Sequence, residues 1–217
     1  MANTPLVSIC IPAYNQFDYI AHTVQSAIHQ NYNNKEIIII DDNSMDGTWE
    51  KLQEFSNYKE VILIKNESNL GIGGNWNKCI EKASGDYIKF FLGDDIIYPG
   101  CIYEMVQVAL KHRDAGLIFS SRDFLLSDLS PDKMNINKIK YLLELSKRQK
   151  TIFEISEQRN GILQGNEILD MMFPTCMNII GEPSNVLIKS NVFREVGFFD
   201  PSFKQLIDVE MWMRILN

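Results

Sequence analysis

Carboxylates in adjacent pairs are the first chemistry this sequence offers. Asp41-Asp42 follows the run Ile38-Ile39-Ile40, and Asp94-Asp95 follows Phe90-Phe91-Leu92-Gly93. Neighbouring anions repel, at a cost that grows away from water unless a cation, a proton or a ligand donor intervenes. At Asp94 and Asp95, hard oxygens with no nearby Cys or clustered His suit Mg²⁺ or Mn²⁺, which keep open positions for substrate phosphates. The competing interpretation is a turn in which one Asp caps the helix beginning near Pro99. Asp41 and Asp42 either make a turn and helix cap before Thr48, aided by Asp46-Gly47, or offer a carboxylate to a nucleobase edge. In the second case Tyr14 adds an aromatic face and Asn15 a group that both donates and accepts.

Asp208 is a further candidate. On a helix it shares a face with Trp212, four residues on, so an acid would sit beside an aromatic rim that raises its basicity. A first-turn Asp stabilised by the helix dipole is the alternative. Gly71, Gly73 and Gly74 fail the dinucleotide fingerprint because Trp76 stands where the last glycine belongs, and flexible entry to a helix is their expected role. His22 and His29 lack acidic or thiol neighbours and read as ordinary surface or core residues, while His112 suits a helix C-terminus.

The elements that must position these residues are legible in the first half of the chain. Short β-branched runs at 6–11, 36–40, 61–65, 87–92 and 117–120 alternate with helical stripes, the pattern of βαβ units around a mostly parallel sheet. The stripes are Ile20, Val24, Ala27 and Ile28; Trp49, Leu52 and Phe55; and Ile102, Met105, Val106 and Ala109, the last opened by Pro99. Such sheets bind ligands beyond the carboxyl ends of their strands, where Pro12-Ala13-Tyr14-Asn15, Asp41-Asp42-Asn43-Ser44 and Gly93-Asp94-Asp95 fall. After Arg122 the alternation gives way to a helix-rich stretch, 129–173, clearest at 138–148, then a strand at 185–188 and a helix at 206–216. The expected division is a ligand-binding α/β half, 1–122, and a second region, 123–217, with a helical insertion. The last helix has no stop signal, so a shortened second region is expected.

Composition narrows the function classes. A chain of 217 residues, 45% hydrophobic, can bury roughly 70% of its unfolded surface. A net charge of −7 leaves no excess of cations for a phosphodiester backbone, which argues against nucleic acid. Cys10, Cys79, Cys101 and Cys176 lie far apart without a Cys-x-x-Cys pair, as expected of buried thiols in a reducing compartment. With no apolar run near the ~20 residues that span a bilayer, a cytoplasmic protein is expected, at most peripheral at the inner face of the membrane.

In combination the motifs are specific. The run Val7-Ser8-Ile9-Cys10-Ile11-Pro12-Ala13-Tyr14-Asn15, then Ile38 to Thr48, Asn69-Leu70-Gly71 with Asn77, Ala83 to Ile88, Asp94-Asp95, and Gly197-Phe198-Phe199-Asp200 before Asp208 resemble, in order and spacing, the inverting glycosyltransferases of family 2, which have the GT-A fold. The resemblance implies a Rossmann-like, mostly parallel sheet flanked by helices, with a helix-rich C-terminal acceptor region. It implies a nucleoside pocket of Pro12, Tyr14, Asn15 and Asp42, with Asp42 facing a uracil-like base and Asp94 at the ribose or sugar. Asp95 would hold Mn²⁺ or Mg²⁺ against the diphosphate, and Asp208 would be the base that deprotonates the acceptor hydroxyl. The implied partners are a nucleotide-sugar donor, UDP-linked by preference, and a saccharide or lipid-linked acceptor, in cell-surface polysaccharide or glycoconjugate synthesis.

The chain departs from that family at Leu92, where many members carry an additional Asp, and at Ile207, where a Glu often precedes the base. Two other functions compete. A sugar nucleotidyltransferase would need a basic, glycine-rich phosphate loop, but residues 11–18 contain no Gly, Lys or Arg. A noncatalytic nucleotide-sugar-binding module would have no need of both Asp95 and Asp208.

Overall fold

The computed structural model describes residues 4–123, 136–173 and 177–217. In chain order the elements are β1 (Val7–Ala13), α1 (Ile20–Ile28), β2 (Lys35–Asp41), α2 (Thr48–Leu52), β3 (Val61–Lys65), α3 (Gly71–Lys82), β4 (Tyr87–Phe90), α4 (Cys101–Lys111) and β5 (Leu117–Phe119). Then follow α5 (Ile136–Gln158), α6 (Gly165–Met172), β6 (Val186–Lys189), α7 (Val192–Val196) and α8 (Ile207–Leu216). One six-stranded sheet runs in the order β3-β2-β1-β4-β6-β5, giving the mixed, mostly parallel GT-A architecture expected. β1 pairs in parallel with β2 and β4, and β2 with β3, whereas β6 is antiparallel to both of its neighbours.

Alternation along the strands separates two cores. Cys10, Ile38, Ile40, Ile88, Phe90 and Ile188 face Trp76 and Ile80 of α3, Ile168 of α6 and Trp212 of α8. Val7, Ile9, Ile11, Ile37, Ile39 and Leu187 face Ile20 and Val24 of α1, Leu52 of α2 and Val106 of α4. With both faces covered, strand residues are apolar almost throughout. β6 and α8, from the second half of the chain, thus belong to the same sheet and core as the first half.

Several details differ from expectation. β4 stops at Phe90 rather than at 92, and α4 starts at Cys101, two residues after Pro99. The three glycines are not a flexible loop: they lie in the first turn of α3, and a Cβ on Gly73 would sit 2.8 Å from Ile207 Cδ1 and 2.9 Å from the Pro201 backbone. Close packing against Pro201 and against Ile207 of α8 is the reason for glycine at position 73. Trp212 is not a rim but fully buried core, its indole Nε1 donating to the Gly181 carbonyl at 2.9 Å. Cys10 and Cys79 are buried free thiols and Cys101 is partly buried; Cys176 and residues 129–135 of the helix-rich stretch lie outside the described residues.

Candidate active site

The strand order reverses between β1 and β4, since β2 and β3 extend to one side and β4 to the other. A crevice opens at such a switch point, beyond the carboxyl ends of the strands. Pro12 is tolerated inside β1 because β4 pairs only with Val7 to Cys10, so the missing N–H falls where β4 has ended. Pro12 is buried and Tyr14 is half-exposed at the rim. Asn15 takes a left-handed backbone, φ 50°, and is held by Ser44 Oγ on its N–H at 2.9 Å and by the Met45 N–H on its own Oδ1 at 3.0 Å.

Asp41 and Asp42 are both buried. Asp42 accepts hydrogen bonds from Asn66 Nδ2 at 2.7 Å and the Leu70 N–H at 2.8 Å on one oxygen, and from the Gly71 N–H at 2.9 Å on the other. Its first task is therefore to fasten the chain entering α3 beside the crevice. Asp41 accepts from the Ser44 N–H at 3.0 Å through Oδ2, while its buried Oδ1 has no partner among the described residues.

Asp94 is exposed and Asp95 partly buried. The Asp95 carboxylate accepts from Ser184 Oγ, its carbonyl accepts from Thr23 Oγ1 at 2.8 Å, and Ser184 Oγ in turn accepts the Leu92 N–H at 3.0 Å. Beneath this knot, fully buried Lys89 donates to the Ser184 carbonyl. Burial pushes the Asp95 carboxyl above the ordinary carboxylate range; the Ser184 bond opposes this, Asp94 and Glu182 add to it, and Lys89 opposes it. Burial likewise lowers the Lys89 ammonium to about 8, against smaller opposing effects of Cys101 and Asp95.

Asp208 begins α8 after Leu206, whose left-handed backbone turns the chain into the helix. Its Oδ2 accepts from Asn178 Nδ2 at 2.7 Å and its Oδ1 from the Val209 N–H at 2.9 Å. Burial raises its carboxyl above the ordinary range; the Val209 and Asp208 amides oppose the shift, Glu182 adds to it and Arg122 opposes it. A raised carboxyl is a stronger base once ionised.

Asn178, Glu182, Ser184, Lys89 and Arg122 contact or electrostatically influence the candidate carboxylates, and the sequence did not point to them. Attention to residues after strands misses Asn178, Glu182 and Ser184 because β6 is antiparallel: Lys89 pairs with Leu187, so the residues before β6 arrive at the carboxyl edge of β4. The polar run Gly181-Glu182-Pro183-Ser184-Asn185 just ahead of a strand was the available signal.

A divalent cation fits the residues present. Asp94 and Asp95 offer hard oxygens; burial chiefly raises the Asp95 carboxyl, and the smaller repulsion from Asp94 and Glu182 is what a cation relieves. No three His, Cys, Asp or Glu side chains gather as a cage among the described residues, so an ion here would draw its remaining ligands from substrate phosphate and water.

The model of the glycosyl transferase family 2 matches residues 8–165, which carry β1 through α5 and both aspartate pairs. The chain belongs to this family. TuaG of Bacillus subtilis, whose name places it in teichuronic acid biosynthesis, is 42% identical over 128 residues, covering 58% of this chain and 50% of TuaG. An uncharacterized glycosyltransferase of Rickettsia typhi is 29% identical over 99% of this chain and 59% of its own length. The family 2 chain thus spans about three fifths or less of these curated relatives. Among solved structures, S. aureus TarS 1-349 in complex with UDP aligns with a TM-score of 0.65 at 16% identity, over 97% of this chain and 55% of that one. The mannosyltransferase PcManGT from Pyrobaculum calidifontis, in complex with GDP-Man and Mn²⁺, gives 0.64 at 13% identity, over 97% and 52%. These likenesses show the shared fold.

Proposed function

We propose that this family 2 chain is the catalytic part of a glycosyltransferase that moves a sugar from a nucleotide-sugar donor to an acceptor hydroxyl, with inversion at the anomeric carbon. The carrying observation is that two basic-shifted carboxylates, Asp95 and Asp208, are tied to one short segment at the carboxyl edge of the sheet, through Ser184 and Asn178. Asp95 belongs to the aspartate pair that follows β4, and Asp208 lies in the first turn of α8. A UDP-linked donor is favoured because TarS was solved with UDP and with UDP-GlcNAc, although PcManGT carries GDP-Man. TuaG supports a role in cell-surface polysaccharide or glycoconjugate synthesis.

In this reading Pro12, Tyr14 and Asn15 form the wall on which the base rests. Asp42, with three of its acceptor sites already used, shapes that wall through residues 66–71 and meets the base edge with what remains of its lone pairs. Asp94, exposed, reaches the ribose or the sugar. Asp95 would hold Mn²⁺ or Mg²⁺, which supplies charge neutralisation for the departing diphosphate. Asp208 removes the proton from the attacking hydroxyl, a contribution typically worth about 10²–10⁴ in rate.

The test is the Asp208→Asn variant, assayed for sugar transfer and for donor binding. Transfer should fall by at least about 10²-fold while donor affinity stays within about twofold, and the wild-type product should carry the opposite anomeric configuration to the donor. Normal transfer by the variant would remove Asp208 from the role of base.

A further inference from the structure

We propose that Glu182, fixed by Arg122, is a specificity-determining residue whose carboxylate accepts a hydrogen bond from a hydroxyl of the sugar being transferred. This rests on the assignment of Asp95 to the diphosphate side and Asp208 to the acceptor side. In a single displacement the anomeric carbon lies between the leaving oxygen and the attacking one, so the space between these two groups belongs to the transferred sugar. The segment 178–184 frames that space. At one end Asn178 donates to Asp208, and at the other Ser184 donates to Asp95. Glu182 lies between them in the chain, and its charge bears on both carboxylates.

The local structure holds the carboxylate still. Gly181 has φ +110°, a conformation open to glycine, and a Cβ there would sit 2.7 Å from Arg122 Nη1 and 2.8 Å from Asn185 Nδ2. Its N–H donates to Asn178 Oδ1 at 3.0 Å and its carbonyl accepts from Trp212, so both sides of the peptide are pinned to groups beside Asp208. Glu182 then pairs with Arg122, which follows β5 and reaches the same edge of the sheet. Within the pair the guanidinium is the buried partner, its side chain 8% exposed, and the carboxylate faces outward at 44%. A carboxylate has about four acceptor sites, so the pairing leaves some for a ligand without further ordering.

The chemistry selects the ligand group. An ionised carboxylate only accepts, and one flanked by two more acids disfavours phosphate or carboxylate, so a neutral hydroxyl is the partner. Position 207 does not provide the acid, since Ile207 is 4% exposed and packs over Gly73.

The experiment is calorimetric titration of wild type and Glu182→Gln, with Mn²⁺ present. The probes are UDP and GDP and the conjugates UDP-GlcNAc, UDP-glucose and GDP-mannose, and thermal midpoints check that both proteins are folded. Glu182→Gln keeps the shape and should bind the diphosphate within about twofold of wild type, while the conjugate that outbinds its own diphosphate in wild type loses about tenfold. Equal loss for diphosphate and conjugate, or no loss for either, would overturn the inference; so would finding no conjugate that outbinds its diphosphate. If wild type binds neither UDP nor GDP, the donor site itself fails, an outcome separate from failure of Glu182 alone.

Discussion

Asp208 and Lys89 are both charged groups drawn into the interior, and burial moves them in opposite directions. For Asp208 the folded carboxyl binds its proton more tightly than the unfolded one at 3.8. Folding stability is therefore fullest below the unfolded value and is lost as pH rises through the raised one. Asp208→Asn should then unfold at a higher temperature than wild type at pH 7, and thermal melts should show the difference closing as pH falls toward 3.8. In the role proposed for Asp208 catalysis has the opposite sign, because a base must be ionised. The acid limb of kcat/KM should lie above the ordinary carboxylate range, with activity falling as pH drops through it. Lys89 holds its proton less tightly when folded, about 8 against 10.5, so its cost is present at pH 7 and relieved between those values. Lys89→Met should raise the melting midpoint at pH 7, by a margin that narrows from pH 8 to 10.5. The direction at Asp208 was legible as an acid on a helix with an aromatic four residues on, whereas its hydrogen bond from Asn178 and the burial of Lys89 inside β4 carry no mark in the sequence.

Elements explain which parts of the site could be read in advance. The loops after β1, β2 and β4 announce themselves, because a buried apolar strand ending in Asp-Asp or Tyr-Asn breaks its own pattern. The segment before β6 does not, since reversal of one strand relative to its neighbours leaves no mark in the strand's composition. Gly73 and Trp212 were misjudged for a related reason: glycine looks flexible and a tryptophan four residues from an acid looks like a rim until the packing of α3 on α8 is known. Asn77 is the clearest long-range tie, donating to the Phe199 carbonyl at 2.8 Å and accepting the Phe199 N–H at 3.0 Å. Asn77→Ala should cost about 1–3 kcal/mol in denaturant unfolding by leaving both backbone groups unpaired. Gly181→Ala should cost comparable stability through strain at φ +110° and contact with Arg122, and it should displace Glu182 as well.

At the scale of the molecule, the alternation of strands and helices through residue 122 was sufficient to read a mostly parallel, doubly covered sheet, and six strands in the order β3-β2-β1-β4-β6-β5 realise it, with β6 antiparallel to its neighbours. The family match over residues 8–165 covers the half in which that reading was strongest. What could not be read was how residues 177–217 return to the sheet, since pairing of β6 between β4 and β5 joins strands far apart in sequence. No helix among the described residues is long and apolar enough to cross a membrane. The edge proposed as active draws on residues from both halves of the chain, and a metal-dependent grip on a nucleoside diphosphate is the proposed property that unites them. The most direct measurement is calorimetric titration of UDP into wild type with Mn²⁺, into wild type with the metal chelated, and into Asp95→Ala with Mn²⁺. The expected result is binding in the first case and a loss of at least about tenfold in the other two, as for removal of a charged contact; UDP binding that is unchanged by chelation and by Asp95→Ala would contradict the assignment of Asp95 and the metal to the donor site.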